Sequence, residues 1–263
     1  MTTAIAFAPT YVGGVACTVL GDGGPVTVFA HGLGGTSAET RPLAARVPGT
    51  RVLLDFRGHG DSVALPGGWD YDLLADDLLG VADAFGATRV VGLSVGSGAL
   101  LRALSRDATR FERLAMVMPA AIDRGRDDGA TLAIRRLGRA IDDGDVAAVT
   151  DLLLAELPAE IRERRGVRLL LARRAAQLAT RPAPRPRRPD RPLADRSVLR
   201  DVTAPTLVIA QQQDPLHCVD LAVELAAALP HARLLELPAG GVFWTATASV
   251  AAALAAHLAE DLT

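Results

Sequence analysis

Short apolar runs, closed by glycine, proline or aspartate, recur along the 263-residue chain and read as β-strands. They fall near residues 4–8, 15–20 (Val-Ala-Cys-Thr-Val-Leu), 25–30 (Pro-Val-Thr-Val-Phe-Ala), 51–55 (Arg-Val-Leu-Leu-Asp), 88–93, 113–118, 205–210 (Pro-Thr-Leu-Val-Ile-Ala) and 232–237. The first two are joined by a Gly-Gly turn and suit an antiparallel pair. The later runs are apolar almost without interruption, as strands buried on both faces should be. Between them, apolar residues recur at helical spacing over 71–85, 96–106, 218–229 and 246–261. Such alternation predicts an α/β fold: about eight strands in a mostly parallel sheet, with helices on both faces.

The rhythm breaks between 120 and 200. Residues 129–180 are helical in pattern, rich in Ala, Leu and Arg, and contain no convincing strand. The segment 181–192, Arg-Pro-Ala-Pro-Arg-Pro-Arg-Arg-Pro-Asp-Arg-Pro, cannot form regular structure, because each proline removes a donor and fixes φ. The chain therefore divides into a core, 1–119 with 201–263, and a helical insertion, 120–200, tied back by an irregular connector whose arginines read as solvated charge.

Composition narrows this picture. Hydrophobic residues make up 49% and charged residues 22% of the chain, enough to bury a large core. A net charge of −2 gives no reason to expect nucleic acid or an anionic membrane as partner. All 28 basic residues are arginine, a coding bias rather than a functional need for guanidinium. Cys17 and Cys218 are too few and too far apart for a disulfide framework. No basic leader and no apolar run of membrane length is present. The expectation is a soluble cytoplasmic protein, monomer or homodimer.

Four stretches carry candidate chemistry, each after a predicted strand. Gly92-Leu93-Ser94-Val95-Gly96 is a G-x-S-x-G elbow between a strand and a helix. A serine exposed at so sharp a turn sits in strained backbone, so residues two positions away must lack side chains. Phe29-Ala30-His31-Gly32-Leu33-Gly34-Gly35 is a glycine-rich turn whose N–H groups can face a developing oxyanion. The other two are Asp55-Phe56-Arg57-Gly58-His59-Gly60-Asp61-Ser62 and Gln212-Gln213-Asp214-Pro215-Leu216-His217.

In this order and spacing, the four stretches resemble the α/β-hydrolase superfamily over nearly the whole chain, with 120–200 in the place of its variable lid. The resemblance implies Ser94 as nucleophile, Asp214 as the triad acid, and the N–H groups of Leu33 and Val95 as the oxyanion hole. It implies a mainly structural role for 55–62, a small-molecule substrate in a pocket drawing on His31, Leu93, Phe243 and Trp244, and no metal or cofactor. The family's base belongs on the loop after the last strand, in a Gly-Gly-His or Gly-His sequence. Leu237-Pro238-Ala239-Gly240-Gly241 puts Val242 in that position.

Five histidines could compensate. His231 and His257 read as surface residues, and His31 and His59 as braces of their turns. His217, three residues from Asp214, is the best replacement, although a loop histidine that merely packs or caps would look the same. Without a base, Asp214 would need another donor or would itself take protons. Cys218 reads as a small buried hydrophobe rather than a reactive thiol. Two readings follow. One is a hydrolase of a small ester, thioester or lactone with an incomplete or relocated triad. The other is a non-hydrolytic protein on the same scaffold: a cyclase, lyase or isomerase of secondary metabolism, or a ligand-binding pseudo-enzyme.

Overall fold

A computed structural model describes residues 9–124, 129–180, 184–187 and 191–259; the strand expected at 4–8 lies outside them. Eight strands form one sheet: β1 (Thr10–Val12), β2 (Val15–Leu20), β3 (Val26–Ala30), β4 (Thr50–Asp55), β5 (Arg89–Leu93), β6 (Arg113–Val117), β7 (Thr206–Gln211) and β8 (Ala232–Leu237). Their spatial order is β1-β2-β4-β3-β5-β6-β7-β8. The hairpin β1–β2 turns at Gly13-Gly14 and joins β4 antiparallel; every other pairing is parallel.

Helices cover both faces. On one side lie α2 (Tyr71–Phe85), α3 (Val95–Leu104) and α8 (Val219–Ala228). They bury Leu74, Leu78, Leu100, Leu101 and Leu225 against Val28, Val52, Val90, Leu114 and Val208 of the strands. On the other side lie α1 (Ser37–Ala44) and α9 (Thr247–Ala259), where Leu43, Val250, Leu254 and Leu258 meet Phe29, Leu53, Val91, Leu93, Val117 and Ile209. Successive strand residues thus feed opposite cores, which is why these runs show no polar alternation.

Two elements depart from the pattern. The helix α1 has no apolar period and contains Pro42; it starts on Thr36, whose side chain accepts from the Ala38 N–H at 3.3 Å. His257, expected at the surface, is only 5% exposed, and its Nε2 donates to the Leu114 carbonyl at 2.9 Å. The terminal helix crosses the sheet closely enough to bury a residue near its end.

Residues 129–180 are helical as expected: α4 (Gly129–Asp142), α5 (Val146–Ala155), α6 (Ala159–Arg162) and α7 (Val167–Thr180). They have small apolar centres of their own, Ala140, Val149, Ala175 and Leu178 in one and Leu154, Ile161 and Val167 in another. Of the Pro-Arg connector, Pro186 bridges to Trp69 and Arg187 donates to the Gly68 carbonyl at 2.9 Å. Among the described residues no helix is long and apolar enough to cross a membrane.

Candidate active site

The carboxyl ends of β3, β5, β6 and β7 converge on one edge, where open parallel sheets place their ligands. Left-handed backbone outside glycine occurs at that edge: Ser94 (φ 51°), Met118 (φ 48°) and Gln213 (φ 57°) follow β5, β6 and β7. For residues with a Cβ this conformation is costly and persists only where the surroundings over-determine it.

At the elbow the reasons are visible. The Ser94 N–H donates to the Val117 carbonyl at 2.9 Å, and the Ser97 hydroxyl to the Gly92 carbonyl at 2.8 Å. A Cβ on Gly92 would stand 2.6 Å from the Gly96 carbonyl oxygen, and one on Gly96 would collide with the backbone of Ala30. The two glycines let strand, turn and helix close on one another, and Ser94 is left at the mouth.

Gln213 gives the next turn its direction. One oxygen of Asp214, Oδ1, accepts from the N–H groups of Leu216 (2.8 Å) and His217 (2.9 Å), folding the chain back on the carboxylate. The same oxygen accepts from His217 Nδ1 at 3.1 Å, and His217 Nε2 lies 2.9 Å from Ser94 Oγ. The carboxylate only accepts, so Nδ1 carries the proton and Nε2 is open to the serine hydroxyl. Burial alone would raise the Asp214 carboxyl, but the hydrogen bond and charge of His217, with the two N–H groups, hold it below its ordinary range. Ser94, His217 and Asp214 therefore form an unbroken chain of contacts, with Asp214 and His217 three residues apart on one loop.

Val242 is not part of it. Its side chain is 2% exposed, packed with Leu237, Leu43 and Val250 in the core under β8. Leu93, expected in the pocket, is also core on that side. His31, expected there too, is fully buried: Nε2 accepts from the Phe56 N–H at 3.0 Å and Nδ1 donates to the Gly32 carbonyl at 2.7 Å. Burial, then the neighbouring His59, press its pKa down to about 3, so the ring is a neutral brace. His59 packs 4.9 Å from it and is likewise held below its ordinary value by burial. The 55–62 turn is structural: Asp55 accepts from Ser37 N–H (2.5 Å) and Asp61 N–H (3.0 Å). Phe243 is exposed, while Trp244 packs against the centre made by Leu154, Ile161 and Val167. Cys218, expected to be buried, is exposed, and Cys17 is a buried free thiol pushed up to about 12 by burial and then by Asp55.

The glycine turn after β3 is held in a way its sequence did not show. The Gly32 carbonyl accepts from His31 and from the Gly35 N–H at 3.0 Å. In a trans peptide N–H and C=O point oppositely, so the Leu33 N–H is turned away from those donors. A Cβ on Gly32 would lie 3.5 Å from Ser94 Cβ, so this turn borders the serine. Val95 opens α3, where N–H groups have no helical acceptor. Three ionisable residues that sequence reasoning missed surround the turn and the triad. Glu39 Oε2 accepts from the Gly32 N–H at 3.0 Å, Arg174 of α7 donates to the Gly34 carbonyl, and Glu156 feels the charge of Asp214. Glu39 follows the glycine turn closely and could have been suspected; Arg174 and Glu156 lie 140 and 58 residues away from Gly34 and Asp214 in sequence, with nothing in their surroundings to mark them.

A groove of about 340 Å³ lies between Ile161 and Arg164 on one side and Leu237, Pro238, Gly240 and Ser249 on the other. It borders the loop that carries Val242 rather than Ser94. Among the described residues no cluster could hold a metal ion.

Solved structures share the whole architecture at low identity. An esterase, EaEST, from Exiguobacterium antarcticum superposes with a TM-score of 0.71 at 19% identity, covering 94% of this chain and 96% of its own. A meta-cleavage product hydrolase, CumD, from Pseudomonas fluorescens IP01 gives 0.73 at 17%, covering 93% and 94%. Est816, described as an N-acyl homoserine lactone degrading enzyme, gives 0.69 at 20%, covering 94% and 98%. No curated protein sequence matches the chain. The sequence model of the Alpha/beta hydrolase family matches residues 27–256, from β3 to the last turns of α9, and by that match, together with the sheet order and the elbow, the chain belongs to the Alpha/beta hydrolase family.

Proposed function

We propose that the protein is a serine hydrolase of small esters, thioesters or lactones, with its base moved to the loop of the acid. The carrying observation is the 2.9 Å approach of His217 Nε2 to Ser94 Oγ, backed by Asp214 at 3.1 Å. Distances near 3 Å are those needed for proton transfer. His217 takes the hydroxyl proton as Ser94 attacks the carbonyl; Asp214 steadies the resulting imidazolium. The N–H groups of Leu33 and Val95 receive the oxyanion. His217 returns the proton to the leaving alcohol or thiol, and water then releases the acid by the same steps. Residues 120–200 act as the lid over this site, and Trp244 is one of its seats.

A fluorophosphonate probe followed by peptide mass spectrometry tests the reading. Ser94 is expected to carry the adduct, and Ser94→Ala to abolish it. His217→Ala is expected to slow p-nitrophenyl acetate turnover on the order of 10⁴-fold or more. Folded protein that leaves Ser94 unlabelled would overturn the proposal.

A further inference from the structure

We propose that Arg174 and Glu39 are positioning residues that clamp the turn Gly32–Gly35 from two sides, so that docking of α7 sets the aim of the Leu33 N–H. The inference rests on the serine-hydrolase reading for its kinetic consequence and on geometry for its structural one.

Four backbone polar groups flanking Leu33 are committed. The Gly32 N–H goes to Glu39, the Gly32 carbonyl to His31 and the Gly35 N–H, and the Gly34 carbonyl to Arg174. His31 is anchored by the sheet through Phe56, and Glu39 by α1. Arg174 is the one holder that comes from the inserted helices, about 140 residues downstream. Arg174 is partly buried, and its contact with the Gly34 carbonyl is too. Glu39 lies within electrostatic reach of both Arg174 and His217. The three glycines of the turn lack the side-chain contacts that would otherwise hold it, and Gly34 is in the left-handed region (φ 68°). A Cβ on Gly35 would collide with the Glu39 carboxylate, so that carboxylate occupies the space a side chain would use. Such a turn keeps its shape only while its outer hydrogen bonds hold. An oxyanion donor must be aimed before the reaction to be effective, so loss of a clamp is felt in the transition state and little in ground-state binding.

The test compares Arg174→Gln, Arg174→Lys, Glu39→Ala and Glu39→Gln with the parent. Amide exchange of Gly32 and Gly35 is followed by NMR, and hydrolysis of p-nitrophenyl acetate, a neutral ester, is measured as kcat and KM. The expected result is faster exchange at Gly32 and Gly35 in Arg174→Gln and Glu39→Ala, with kcat down about 10- to 100-fold and KM nearly constant. Arg174→Lys and Glu39→Gln, which keep one donor and one acceptor, are expected to recover part of both losses. Unchanged exchange in Arg174→Gln overturns the proposal, as does a change confined to KM, which would make Arg174 a substrate contact. Should the parent hydrolyse no ester, the functional reading fails while the exchange data still decide the clamp.

Discussion

Val242 and His217 mark the two ends of the proposed relocation of the base. The valine is a fully packed core residue, so putting an imidazole there buries an unpaired polar ring among Leu43, Leu237 and Val250. Val242→His is expected to cost roughly 2–4 kcal/mol in denaturant unfolding and to add no turnover, because His217 already bonds the Ser94 hydroxyl. Glu156 supplies a pH-dependent term. Burial first, and then the charge of Asp214, raise its carboxyl to about 7. In the unfolded chain the same group ionises near its ordinary 4.5, so between these values the unfolded state sheds the proton that the folded state keeps. Stability from the neutral group is full below about 4.5 and declines as pH rises to about 7. Glu156→Gln is expected to flatten that decline and to gain up to about 3 kcal/mol at pH 8 relative to the parent, read from thermal melts at pH 5 and 8.

At the scale of elements, the elbow and the Asp214 loop are each fixed by a few close approaches. Gly92→Ala would drive a Cβ into the Gly96 carbonyl at 2.6 Å. The expected result is a loss of at least about 2 kcal/mol together with loss of fluorophosphonate labelling at Ser94. The elbow was legible because it is a local need: a strand, a turn and a helix that cross at one serine require small residues at fixed offsets. The strands β2 to β8 and α2 were legible for the same reason, since burial on one or both faces writes a period into neighbouring residues; the three-residue β1, exposed at Thr10 and Tyr11, was not. The short helix α1 was not, because Thr36 starts it by capping and only Leu43 and Ala44 enter the core beside Thr40.

Across the whole molecule, the inserted helices meet the core at few points. Trp244 is one, resting on Leu154, Ile161 and Val167. Trp244→Ala is expected to lower stability by about 2–3 kcal/mol and to speed tryptic cleavage at the arginines of 162–174 before the core is cut. Arg174 is another, and there the contact falls on the turn that borders Ser94. A helix whose seat reaches the glycine turn can influence chemistry without touching the reacting atoms.

The sequence by itself determined the α/β architecture and the G-x-S-x-G elbow at Ser94, because burial periods and the steric needs of a sharp turn are written into short stretches of chain. The family resemblance added Asp214 as the expected acid and Val242 in the expected place of the base. Together they left the base open among His217, His31 and His59, with His217 the best candidate. Only the tertiary structure brings His217 to 2.9 Å from Ser94 Oγ, since that approach depends on how Gln213 bends the loop after β7 and on Asp214 gathering three donors on one oxygen. It also placed Leu93, His31 and His257 in the interior and Cys218 at the surface. Burial is a property of what packs across from a residue, and distant segments supply that packing without leaving a local mark in the chain.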